Sequence, residues 1–97
     1  MKKMTVLFSD ADHLAAAVSG LDIPFSAYEE KDTILLDEFE GVTLYDYLEK
    51  VLSFCQNTDE PWCDPPCRSM TVGDLIRDES GNYYLIGILG FKEVTFP

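Results

Sequence analysis

Residues Ser69 to Pro97 read SMTVGDLIRDESGNYYLIGILGFKEVTFP, and this stretch decides the fold. Thr71 and Asp74 are turn formers, and Gly73 permits a backbone shape that other residues resist. The strand over "DLIRD" sets Leu75 and Arg77 on the opposite face from Asp74 and Ile76. "ESGN" supplies a turn, with Gly81 as the residue able to take positive φ. "YYLIGIL" returns as a second strand, and its near-continuous apolar run predicts burial on both faces. Gly87 reads as a bulge or a close backbone approach. "GFKEVTF" follows the break at Gly90 as a short final strand.

Upstream, "NTDEPWCDPPCRS" over residues 57–69 is an irregular loop, because Pro61, Pro65 and Pro66 forbid regular structure. It contains Trp62, which can cover an edge of the core or anchor a partner, as tryptophan often does at binding hot spots. Before the loop stands the clearest helix, in "VTLYDYLEKVLSFCQN". Thr43 is the cap and Asp46, three residues on, completes something close to a capping box. Leu44, Tyr47, Leu48, Val51, Leu52 and Cys55 recur at three- and four-residue steps and form the face that lies on the sheet. Tyr45, Asp46, Glu49 and Lys50 face water.

Residues 3–8, "KMTVLF", form a first strand. "SDADHLAAAVSGL" reads as a short helix, capped by Ser9 or Asp10 and ended by Gly20. "FSAYEE" and "DTILLDEF" read as two strands of a hairpin turning at Lys31 and Asp32. The expected fold is therefore α+β: one domain over residues 1–97, a small mixed, mostly antiparallel sheet, and two helices packed on one face.

Charge sets the partner class. Net charge is −11 over 97 residues. Residues 10–64 hold 14 of the 18 acids against Lys31 and Lys50, which puts that segment at −12. The remainder is close to neutral. Direct nucleic-acid binding through such a body is repulsive, because attraction to phosphate needs lysine and arginine. A basic protein surface is the natural complement. Glu29, Glu30, Asp32, Asp37, Glu38 and Glu40 flank the expected hairpin. Together with Asp59, Glu60 and Trp62 they are the candidate partner-binding residues.

Catalytic chemistry finds no foothold. The six glycines are scattered and make no phosphate-cradling loop. His13, the only histidine, is the sole base available to a cysteine nucleophile. Cys63 and Cys67 have a spacing that a zinc loop can use, but only Cys55, Asp64 or His13 could complete a four-ligand set. Neither metal nor cofactor is expected. An odd count of three cysteines argues against a disulfide framework, so loop and buried thiols are expected. No stretch approaches the roughly 18 apolar residues of a membrane span, and Asp10 and Asp12 interrupt the apolar start of a would-be leader. The expected location is the cytoplasm.

The tail also resembles a known family. "MTVGDLI", a turn with "SGNYYL", and then "LGFKEV" look like the end of YodL-like domains from conjugative and integrative elements of Gram-positive bacteria. The resemblance covers roughly the last 28 residues and rests on turn glycines and strand residues. It implies a fold and a mobile-element origin rather than a chemistry. Some small acidic proteins of such elements resemble type II anti-CRISPR proteins, and for this chain that resemblance implies an inhibitor of an RNA-guided nuclease.

Overall fold

The computed structural model describes residues 1–10, 23–63 and 66–96. The helix expected between Asp10 and Gly20 falls on residues outside that set, as do His13 and Asp64. The described elements are β1 (Lys2–Ser9), a 3-10 turn (Phe25–Ala27), β2 (Tyr28–Leu36), α1 (Leu44–Phe54), β3 (Leu75–Arg77), β4 (Tyr83–Gly87) and β5 (Gly90–Val94). The five strands form one sheet in the order β2-β1-β3-β4-β5, and every neighbouring pair is antiparallel. The fold is α+β, with one α-helix among the described residues.

The first strand of the sequence is a central strand of the sheet. β1 pairs β2 along its whole length, from Lys2 opposite Leu36 to Ser9 opposite Tyr28. On its other edge Thr5, Val6 and Leu7 pair Arg77, Ile76 and Leu75. Met4, Val6 and Phe8 point to one side and join Ile34, Ile76, Tyr84 and Ile86 in the core. The helix closes that core. The Thr43 hydroxyl accepts from Asp46 N at 3.3 Å and the Asp46 carboxylate accepts from Thr43 N at 3.2 Å, the reciprocal capping box expected from the sequence. Tyr47, Leu48, Val51 and Cys55 are buried against the sheet, and Leu52 is partly buried beside them. Leu44, expected on the same stripe, stands at the first turn and is 38% exposed.

Three expectations need correction. Residues 28–36 are not two arms of a hairpin but one strand. A type I′ turn needs positive φ at both central residues, which Asp32 tolerates but Lys31 resists, whereas β1 offers a partner for the whole segment. The irregularity sits in the register: Val6 faces Asp32 and Leu7 faces Glu30, so Lys31 is the extra residue of a bulge. Second, the "YYLIGIL" run is not buried on both faces. Tyr84 and Ile86 are buried while Tyr83 and Leu85 are half-buried, and the strand stops at Gly87. Gly87 pairs with Gly90, so Ile88 and Leu89 are the turn between β4 and β5. Third, Cys63 and Cys67 are joined by a disulfide, with Cα atoms 6.4 Å apart, inside the span such a bond requires. Only Cys55 is a free thiol, and it is buried.

The turn from β3 to β4 is as expected. The Asp78 carboxylate accepts from Ser80 N and Asn82 N, and Gly81 takes φ +87°. Burial pushes the Asp78 carboxyl up, but donors from Asn82, Tyr84 and Ser80 outweigh it and hold it below the usual carboxylate range.

Candidate functional site

β2 is an edge strand, and most of the candidate acids belong to it or to the loop that leaves it. Glu29, Glu30 and Asp32 are exposed along the strand, and Asp37, Glu38 and Glu40 are exposed in the connection to α1. The bulge decides which way each points. Glu29 and Asp32 lie opposite Phe8 and Val6 and share the helix side of the sheet. Glu30, opposite Leu7, lies on the other side. Acids therefore project from both faces of the same edge. The nine-residue strand spans about 25–30 Å at roughly 3.3 Å per residue, so Glu29 near its start and Asp37 just past its end stand at opposite ends of it, with Glu38 and Glu40 in the loop that follows.

Some of that charge is already answered within the molecule. Lys31 Nζ stands 3.2 Å from Glu29, Arg77 donates to Glu30 at 2.7 Å, and the amino terminus lies 3.7 Å from Glu38. Asp32 accepts from Thr33 N at 2.8 Å. Among the described residues Asp37 and Glu40 take part in no ion pair.

Asp59 and Glu60 are exposed in the loop after α1 and are not brought onto β2 itself. That loop is pinned from inside. Asn57 N donates to Ser69 Oγ at 2.7 Å and Asn57 Nδ2 to the Cys67 carbonyl at 2.8 Å. Trp62 N donates to Asn57 Oδ1, and Trp62 Nε1 donates to the Arg68 carbonyl at 2.8 Å. The indole packs 5.7 Å from the Phe8 ring. Trp62 is therefore turned mainly into the molecule, the packing role of the two that the sequence allows. Its anchor, Phe8, pairs with Glu29, so the loop is tied down at the Glu29 end of the acidic border.

A charge pair that no local motif announces lies beneath this end. Asp74, expected as a turn former at the start of a strand, is fully buried. Arg68 grips it with both arms, Nη1 to Oδ2 at 2.7 Å and Nη2 to Oδ1 at 2.8 Å. Ser9 N and Thr71 N donate to the same carboxylate at 3.0 and 2.9 Å. The guanidinium also donates to the Ser9 and Ser69 carbonyls and stacks 4.3 Å from the Phe8 ring. Its hydrogen bonds to Asp74, against the opposing effect of burial, raise the Arg68 pKa further. Nearby, Tyr28 donates to the Gly73 carbonyl at 2.7 Å, and burial followed by the Asp74 charge pushes its hydroxyl up to about 12.

A cleft of about 220 Å³ opens at this end, bordered by Ser9, Glu29, Lys31, Cys67 and Arg68. Its potential reactive groups are engaged elsewhere: Ser9 Oγ with Asp74, Arg68 with the same carboxylate, Cys67 in the disulfide. Among the described residues no three His, Cys, Asp or Glu side chains gather as a metal would need. No described helix is long and apolar enough to cross a membrane. The chain matches no family model, no curated protein and no solved structure.

Proposed function

We propose that this protein binds and blocks a basic protein surface, and that its target is a type II CRISPR effector nuclease working in the same cytoplasm. The observation that carries this reading is the acidic border along β2 and the loop behind it, from Glu29 to Glu40. Its carboxylates would take the place of phosphates on lysine and arginine clusters and keep guide RNA or target DNA from seating. The resemblance of the tail to mobile-element domains supports the choice of target.

Magnitudes constrain the mechanism. Each exposed carboxylate meeting a cation contributes on the order of 0.2 to 1 kcal/mol. Affinity from this border alone is modest, while steering and salt sensitivity are strong. Asp37 and Glu40, with no internal ion pair to give up, lose least on binding.

A second reading has its own support. Asp46, Glu49, Glu79 and Glu93 are exposed on α1, the β3–β4 turn and β5, away from β2. Acids on several sides fit a non-catalytic accessory protein-binding module of a conjugative or integrative element. DNA cleavage by a panel of effector nucleases, with this protein added before or after guide loading, separates the two. Inhibition relieved by Asp37→Lys, Glu38→Lys and Glu40→Lys together supports the border as the contact. Full cleavage across the panel at excess protein rejects the inhibitor and leaves the accessory module. Inhibition that the triple variant retains places the contact elsewhere, with the Asp59, Glu60 and Trp62 loop next to test.

A further inference from the structure

The far side of the molecule carries apolar surface with no role in the acidic border. Ile88 and Leu89, the two turn residues between β4 and β5, are 70% and 100% exposed. A turn favours Gly, Asn or Asp, so two large aliphatics here oppose the usual choice. Gly87 and Gly90 frame them as a directly paired couple, with Gly90 at φ +135°. The tip is therefore a short, fixed projection rather than a loose loop.

Behind it runs a groove between α1 and the β4–β5 hairpin, about 360 Å³ in volume and lined by Leu52, Gln56, Val72, Ile86 and Gly87. On the other side of the tip Tyr45, half-exposed, lies beside Gly90 and packs edge-on against Phe91, with ring centroids 5.5 Å apart. The tip therefore stands between the groove, which Gly87 lines, and Tyr45, in a largely apolar strip that includes the polar Ser53, Gln56 and Thr71. Carboxylates edge it: Glu49 is exposed one turn after Tyr45 on α1, and Glu93 follows Phe91 on β5 and pairs with Tyr84.

We infer that this strip docks a cationic amphipathic helix of a partner protein, with Ile88 and Leu89 as its apolar anchors. The charge pattern selects the occupant. A second copy of this chain would bring another net charge of −11 against Glu49 and Glu93, whereas lysines or arginines flanking an apolar face would meet them. Leu52 and Ser53 of α1, with Gln56 just past its end, wall the groove over about one helical turn, room for one apolar side chain of such a helix while the next reaches Ile88 and Leu89. The inference does not depend on the acidic border or on the nuclease.

The probe is a synthetic 18-residue helix of leucine and lysine, compared with a lysine and serine peptide of equal charge, titrated into isotope-labelled protein. Methyl shifts should centre on Leu52, Val72, Ile86, Ile88 and Leu89. Affinity for the leucine peptide should exceed that for the serine peptide by about tenfold, the contribution of one or two well-buried apolar anchors. Ile88→Ser with Leu89→Ser should abolish that difference without changing the melting temperature, because neither side chain is in the core. Glu49→Lys should weaken both peptides. Equal affinities for the two peptides, or shifts confined to Glu29–Glu40, would overturn the proposal. So would a dimer in sedimentation, or binding to phosphatidylcholine vesicles, that the double serine variant loses.

Discussion

Arg68 sits six residues before Asp74 in sequence and reaches it across the end of β1, where Ser9 contributes both an amide and a carbonyl. The two partners are not equivalent. Asp74 is fully buried, while Arg68 keeps about a third of its side chain in solvent. Removing the arginine strands a buried carboxylate. Arg68→Ala should therefore cost about 3 to 5 kcal/mol, the usual range for breaking a buried pair from one side. Asp74→Asn should cost less, because the guanidinium, about a third exposed, retains two carbonyl acceptors. Urea unfolding of both variants checks the order. The reverse order would mean that the amides of Ser9 and Thr71 suffice to hold the charge. Cys55 makes a second residue-level forecast. Burial, then Asp32 and Asp74, push its thiol from near 9 up to about 12. The unfolded thiol ionises first, so the folded state binds the extra proton. Its contribution to stability is complete below pH 9 and fades as the pH climbs from there toward 12. The melting temperature should fall over that window, and Cys55→Ala should flatten the slope even if it lowers the starting value. An unchanged slope in Cys55→Ala would assign the fall to Tyr28 instead.

Among the elements, α1 and the β3–β4 turn could be recognised from sequence because their signals are local. The capping pair Thr43 and Asp46, the apolar period through Val51, and the Gly81 turn each need only neighbouring residues. Leu48 and Leu52 lie on the stripe but differ in depth, 2% exposed against partly buried. Leu48→Ala should cost about 2 to 5 kcal/mol and Leu52→Ala clearly less. Equal losses in thermal melts would mean that the helix is rotated from the register described. What could not be recognised depends on pairing across long separations. Nothing near Lys31 says that β1 will run the full length of residues 28–36 and absorb the expected turn as a bulge. Nothing near Asp74 says where Arg68 will arrive. The acids of the candidate border are plain in composition, but the placing of Glu29, Glu30 and Asp32 on an edge strand follows only from that pairing. The Cys63–Cys67 bond is not legible in the sequence because an odd cysteine count weighs against any pairing. It closes a loop of five residues, worth about 2 kcal/mol by chain entropy. Reductant, or Cys63→Ser with Cys67→Ser, should lower stability by that amount, while the Asn57 and Trp62 hydrogen bonds keep the loop in place. Unchanged Trp62 fluorescence on reduction would confirm that they do.

At the scale of the whole molecule, charge governs encounters. With a net charge of −11, binding to a free DNA or RNA duplex at physiological salt should be undetectable in a gel shift. Micromolar affinity for a short duplex would remove the case for a mimic of nucleic acid. The chain order of the sheet has a further consequence, during synthesis. β1 leaves the ribosome well before its second neighbour, β3, which begins only at Leu75. Until then the edge Thr5–Leu7 is an open template, with Val6 and Leu7 ready to pair with any passing strand. β2 emerges soon after and guards one flank with Glu29, Glu30 and Asp32. Mutual repulsion between nascent chains at −12 over residues 10–64 then keeps the other flank from meeting its copies. The charge that favours a basic partner also serves as a built-in guard against aggregation before the sheet is complete.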